Sequence, residues 1–162
     1  GKVLRPSDKK VPKNIAFIQC VGSRDHERDY CSAVCCMYAT KEALIAKEHL
    51  GDQLDIDILY MDIRAYGKGF DEYYQRAQKL GVNYIRSRVP TIEEDPKTRN
   101  LIINYLSDND KKVSKEYDMI VLSTGLLAPK SAKQISGTLG ISLNEYNFCN
   151  TGSFSPVNSS RN

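Results

Sequence analysis

The chain has 162 residues, of which 41% are hydrophobic and 27% charged, with a net charge of +3. That length and composition suit one globular domain with a proper core. The small charge, without a basic stripe and interleaved aromatics, argues against nucleic acid, and the apolar runs fall far short of a membrane span. Residues 1–13 are polar, with Pro6, Pro12 and four lysines, and read as a linker entering the domain. A first strand is expected over 14–20, around Ile15-Ala16-Phe17-Ile18. A charged loop, 21–31, leads to a helix over 32–49, with Ser32 as N-cap and Gly51 as stop. Strand two is expected over 54–61. The loop from Asp62 to Gly69 contains two glycines and the basic residues Arg64 and Lys68. A second helix over 70–80 ends at Gly81, and strand three follows over 82–88. The order β-α-β-α-β predicts a parallel core with right-handed crossovers.

The second half changes character. Leu101 to Leu106 reads as a strand, 107–110 as a turn, and Val113 to Tyr117 as the returning arm of a hairpin. Asp118 to Gly125 is a buried strand expected to rejoin the main sheet, ending on Ser123-Thr124-Gly125. A short helix is expected over 129–139. From Asn150 the chain is rich in Ser, Asn and Gly, and a loosely ordered tail is expected there. The fold class is α/β: a Rossmann-like three-layer domain over 14–149, with a parallel sheet core and an antiparallel β-meander, followed by a polar tail over 150–162. The chain opens on Gly rather than Met and is expected to be a piece of a longer protein.

Four of the five cysteines fall between Cys20 and Cys36, spaced C-x10-C-x3-C-C. They sit at a strand's end, in a loop and at a helix start, where open α/β sheets place ligands. Helix N-termini also stabilise thiolates and anions. Four readings are open: buried thiols, a disulfide pair, a zinc site, or an iron–sulfur cluster held by four thiolates. The clustering suits a reducing, cytoplasmic setting and a metal site better than a secreted disulfide framework. Cys35 and Cys36 diverge by about 100° on a helix. That is awkward for one ion and natural for a cubane with four separate irons.

Three stretches carry a resemblance: Phe17-Ile18-Gln19-Cys20-Val21-Gly22-Ser23-Arg24-Asp25; Tyr30-Cys31-Ser32-Ala33-Val34-Cys35-Cys36-Met37-Tyr38-Ala39; and Tyr60-Met61-Asp62-Ile63-Arg64-Ala65-Tyr66-Gly67-Lys68-Gly69. They resemble the A-type (HdrA-like) component of heterodisulfide reductase, a flavin- and iron–sulfur-containing electron carrier whose central part is similar to thioredoxin reductase. The resemblance implies the nucleotide-domain-like lobe inserted in that part. It further implies a [4Fe–4S] cluster on Cys20, Cys31, Cys35 and Cys36 that exchanges single electrons with FAD. It implies partners as well: the flavin domain of the parent chain and other subunits of the complex. The parent is then an oxidoreductase, and this lobe alone is catalytically inert. Thr124 and Gly125 match the element where such flavoproteins cross back to the flavin domain. Set against this is a catalytically silent, zinc- or disulfide-stabilised binding module.

A working dinucleotide lobe shows G-x-G-x-x-G after its first strand. Here only Gly22 remains, and cysteines stand where phosphate would be cradled. The nicotinamide site is therefore expected to be lost, with Asp62 serving as a loop or N-cap residue. Lys41, on the helix after Cys36, is a weaker candidate to face a flavin or a cluster sulfide. Arg64 and Lys68 are candidates to neutralise a cluster or nucleotide. His26 and His49 show no metal-ligand pairing, and Cys149 is expected to be a spectator thiol.

Overall fold

The computed structural model describes residues 2–107 and 109–159. Asp108 in the expected turn, Gly1 of the expected linker and the tail's 160–162 lie outside the described residues. Two compact units emerge, one of residues 2–25 and 29–125, the other of 26–28 and 126–159.

The first unit is built on a four-stranded parallel sheet ordered β3-β2-β1-β7. Its strands are β1 (Asn14–Val21), β2 (Asp55–Tyr60), β3 (Val82–Arg86) and β7 (Met119–Thr124). Helices α1 (Cys35–Leu50) and α2 (Phe70–Lys79) make the crossovers. A second sheet, β4 (Ile92–Glu94), β5 (Leu101–Leu106) and β6 (Lys112–Tyr117), is antiparallel. This is the expected Rossmann-like order, with β7 rejoining the main sheet beside β1.

Side-chain alternation along β1 creates the three layers. Ile15 and Phe17 face α1 and α2, packing with Ala39, Ala43, Leu44 and Ala77. Ala16 and Ile18 face the other way and pack with Ile103 and Tyr117 of the meander. Both faces of β1 are thus covered, which is why its sequence is a continuous apolar run rather than an alternating one. One polar residue lies on the meander face. Asp57 of β2 is 1% exposed and accepts from Tyr117 Oη and Lys115 Nζ, each at 2.6 Å, and from Asn83 Nδ2 at 3.1 Å. Residues 2–13 reach the same unit: Pro12 is buried, and Lys13 N–H donates to the Asp118 carboxylate at 2.6 Å.

The structure differs from expectation at three places. The first helix starts at Cys35, not Ser32, and its N-cap is Val34 with no side-chain cap. Ala33 is the cause: its φ of +61° is left-handed and cannot belong to the helix. Second, Glu93-Glu94, in a stretch for which no strand is expected, belong to strand β4, paired antiparallel with β5. That strand is exposed, so ladder pairing forms it and no apolar pattern announces it. Third, the expected loose tail contains a two-stranded ribbon, β8 (Thr151–Gly152) with β9 (Ser155–Ser159). The ribbon belongs to the second unit, as does α3 (Ala132–Leu139), which stops at Gly140 with φ +67°.

Candidate metal centre

The site begins with an irregularity at the end of β1. Ile18 pairs with Leu122 and Val21 with Thr124, so the register against β7 shifts between them. Cys20 lies in this bulge with φ +60°, a left-handed conformation that costs a residue with a Cβ. Gly22 (φ +69°) and Arg24 (φ +57°) continue the sharp turn, and Ser23 N–H donates to the Cys20 carbonyl at 3.3 Å. The chain must also clear β7 here. A Cβ on Gly125 would stand 2.8 Å from Ser23 Cβ and 2.9 Å from the Gly22 carbonyl oxygen. Gly125 N–H donates to the Val21 carbonyl at 2.8 Å, fixing that close approach.

Three of the sulfurs meet. Cys35 and Cys36, the first two residues of α1, are buried, and Cys20 is half-buried. The neighbouring Cys20 thiol, and then the Cys36 thiol, hold Cys35 far below the usual thiol range. The Cys35 sulfur beside them, and then burial, pushes Cys20 and Cys36 up. Cys31 lies on the loop before α1, where its Sγ accepts the Ala33 N–H at 3.3 Å. All five cysteines are free, with Cys149 exposed in the second unit.

Cationic groups gather on the same loops. Arg24 donates to Asp62 Oδ1 at 2.5 Å, and Arg64 reaches Asp62 Oδ1 and Oδ2 at 3.2 and 3.4 Å. These two arginines, Arg64 first, hold the Asp62 carboxyl below the usual carboxylate range. The carbonyl of Asp62 faces Cys36 Sγ at 3.7 Å. Asp62 is therefore no helix cap; it lies between two loops at the thiols. Lys41 and Lys68 are exposed, on α1 and on the loop before α2. Thr124 is exposed at the end of β7, and neighbouring Gly125 abuts the Gly22–Ser23 turn.

Sequence reasoning missed two buried polar groups beside the cysteines. Gln19 donates to Ser123 Oγ at 2.9 Å, but its Oε1 has no partner among the described residues, and neither does Ser23 Oγ. A polar pair flanking an apolar strand end was the only sequence signal for them. A cavity of about 210 Å³ opens here, lined by Gln19, Cys20, Gly22, Asp25, Ser87 and Arg88 among others. A larger one, about 920 Å³, lies where β2 and β3 meet the β5–β6 hairpin, and no cysteine lines it.

The donor set fits an iron–sulfur cluster. Cys20 comes from the end of β1, Cys35 and Cys36 from the start of α1, and Cys31 from the loop between them. The Cys31 sulfur already accepts a main-chain N–H group, that of Ala33. Ser23 has a buried hydroxyl still unpartnered. Among the described residues no three His, Cys, Asp or Glu side chains are arranged to hold a single metal ion. Separate irons do not need such a focus.

Fold and site together define a Rossmann-like lobe whose strand-to-helix notch carries cysteines instead of a phosphate loop. No family model matches the chain. It is homologous to one stretch of the A-type subunits of heterodisulfide reductases. It is 53% identical over 149 residues to the second A-type iron-sulfur subunit of CoB–CoM heterodisulfide reductase from Methanopyrus kandleri, covering 88% of this chain and 22% of that protein. It is 45% identical over 148 residues to the A-type subunit of the H(2):CoB-CoM heterodisulfide,ferredoxin reductase of Methanothermobacter marburgensis, with the same coverages. The corresponding iron-sulfur subunit of Methanocaldococcus jannaschii is 44% identical over 153 residues, 91% of this chain and 23% of that one. The chain thus spans about a fifth of the length of the curated relatives it matches. A crystal structure of LpdA from Mycobacterium tuberculosis superposes with TM-score 0.49 at 10% identity, covering 86% of this chain and 26% of that one. That likeness is too remote to bear on function.

Proposed function

We propose that this chain is an electron-transfer lobe of a heterodisulfide-reductase-like flavin and iron–sulfur oxidoreductase, with Cys20, Cys31, Cys35 and Cys36 as ligands of a [4Fe–4S] cluster. The supporting observation is the placement of Cys20 in the bulge that ends β1 and of Cys35 and Cys36 at the start of α1, with Cys31 on the loop between them. When bound, such a cluster supplies one-electron transfer at a potential tuned by burial and hydrogen bonds. The chain's own residues hold the four sulfurs, keep water from Cys35 and Cys36, and donate the Ala33 N–H to Cys31. FAD, the flavin domain of the parent protein and further subunits are the proposed partners. Lys41, Arg64, Lys68, Thr124 and Gly125 are the residues proposed to meet a cofactor. Among the described residues no helix is long and apolar enough to cross a membrane.

The test is anaerobic reconstitution of the chain with iron and sulfide. Uptake of about four irons per chain with a broad visible absorption band is expected. One zinc per chain and no colour would overturn the proposal in favour of a silent module.

A further inference from the structure

We infer that Asp62 is a positioning residue: its carboxylate clamps Arg24 and Arg64 beside the four thiols, so that the two guanidiniums set the reduction potential of the iron–sulfur group held there. The inference rests on the function just proposed and concerns what the neighbouring charges do to it.

The clamp joins loops that are remote in sequence. Arg24 follows β1, while Asp62 and Arg64 follow β2, so the Arg24–Asp62 bond closes 38 residues. Neither arginine is buried enough to be fixed by packing; their side chains are 24% and 30% exposed. A long flexible cation so exposed samples many positions unless something holds it. One carboxylate holds both, Arg24 through Nη1 and Arg64 through Nε and Nη2. Both arginines stand on the loops that hold the cysteines. Arg24 lies four residues past Cys20 in the same sharp turn, and Arg64 lies two residues past Asp62, whose carbonyl accepts from the Cys36 thiol. The main chain of Asp62 itself touches Cys36. All of these groups belong to the first unit.

The sign follows from electrostatics. A four-thiolate cluster is anionic and becomes more so when reduced, so nearby fixed cations favour the reduced form and raise the potential. Removing either arginine must lower it. Asp62 gives a sharper test, because charge and position predict opposite signs. As a mere negative charge, its loss would raise the potential. As the clamp, its loss releases two cations into water and lowers it.

The experiment is a redox titration of the reconstituted 162-residue chain, followed by visible absorption and electron paramagnetic resonance, with circular dichroism to confirm folding. Arg24→Gln, Arg64→Gln and Asp62→Ala are each expected to reduce the equilibrium constant for reduction about tenfold, a fall of about 59 mV for one electron. Asp62→Glu is expected to recover most of it. An unchanged or raised potential in folded, loaded Asp62→Ala overturns the inference and leaves the proposed function standing. Should Asp62→Ala fail to fold or to load, the two arginine variants decide it, and wild-type potentials in both overturn it. A wild-type chain that takes up no iron overturns the proposed function and this inference with it.

Discussion

Cys20 occupies a backbone conformation that residues with a Cβ avoid, and the bulge around it directs its thiol toward Cys35. The proposed ligands can be tested one at a time. Serine at Cys20, Cys31, Cys35 or Cys36 is expected to cut iron content after reconstitution at least severalfold, whereas Cys149→Ser leaves it unchanged; iron and sulfide assays check both. Gly125 is equally specific. Gly125→Ala forces a Cβ to within 2.8 Å of Ser23 Cβ and 2.9 Å of the Gly22 oxygen. The turn must shift, at a cost of about 1–3 kcal/mol. Urea unfolding should register that loss, and cluster uptake should fall with it. The clustering of four cysteines was legible from spacing, because candidate ligand chemistry is written in residue type. Asp62 was not. Its sequence context suggests a loop or a cap, and its partner Arg24 lies 38 residues away, a proximity created only by parallel strand pairing.

At the scale of elements, the meander is fastened to the parallel sheet through Asp57. The side chains of Tyr117 and Lys115 on β6 and Asn83 on β3 all donate to this one buried carboxylate. Tyr117→Phe removes a buried donor and is expected to cost about 1–2 kcal/mol in urea unfolding. Asp57→Ala leaves several donors stranded. Its cost should be about 3 kcal/mol, the lower end for a broken buried pair, because Lys115 keeps access to water. Burial first, then the hydrogen bond to Asp57, pushes the Tyr117 hydroxyl well above its ordinary value of 10.0. Burial raises Tyr84 to about 12. For both, the unfolded chain loses its proton first as pH rises. Stability is therefore intact below about pH 10 and declines as pH climbs through the raised values. Alkaline unfolding curves should show the decline, and less of it in Tyr117→Phe. Most strands and both crossover helices were legible from apolar runs and glycine stops. The start of α1 and strand β4 were not, since one depends on the left-handed backbone at Ala33 and the other on pairing with β5.

For the whole molecule, a nucleotide-binding topology lacks the glycines that let backbone approach a pyrophosphate. Only Gly22 is present after β1, and the Cys20 turn and the start of α1 fill the notch with sulfur. Calorimetric titration with NADH or NADPH is expected to give no measurable heat of binding; micromolar affinity would contradict this reading. The placement of β7 has a consequence for how such a chain is made. β7 lies beside β1, yet the Gln19–Ser123 bond that joins them spans 104 residues. At roughly 5–20 residues per second, the ribosome needs about 5–20 s to travel that distance. Throughout that interval the cysteine loop has emerged without the strand that shapes it. The thiols pass through synthesis as an unframed set, and the notch assumes its form only when the last strand of the sheet arrives.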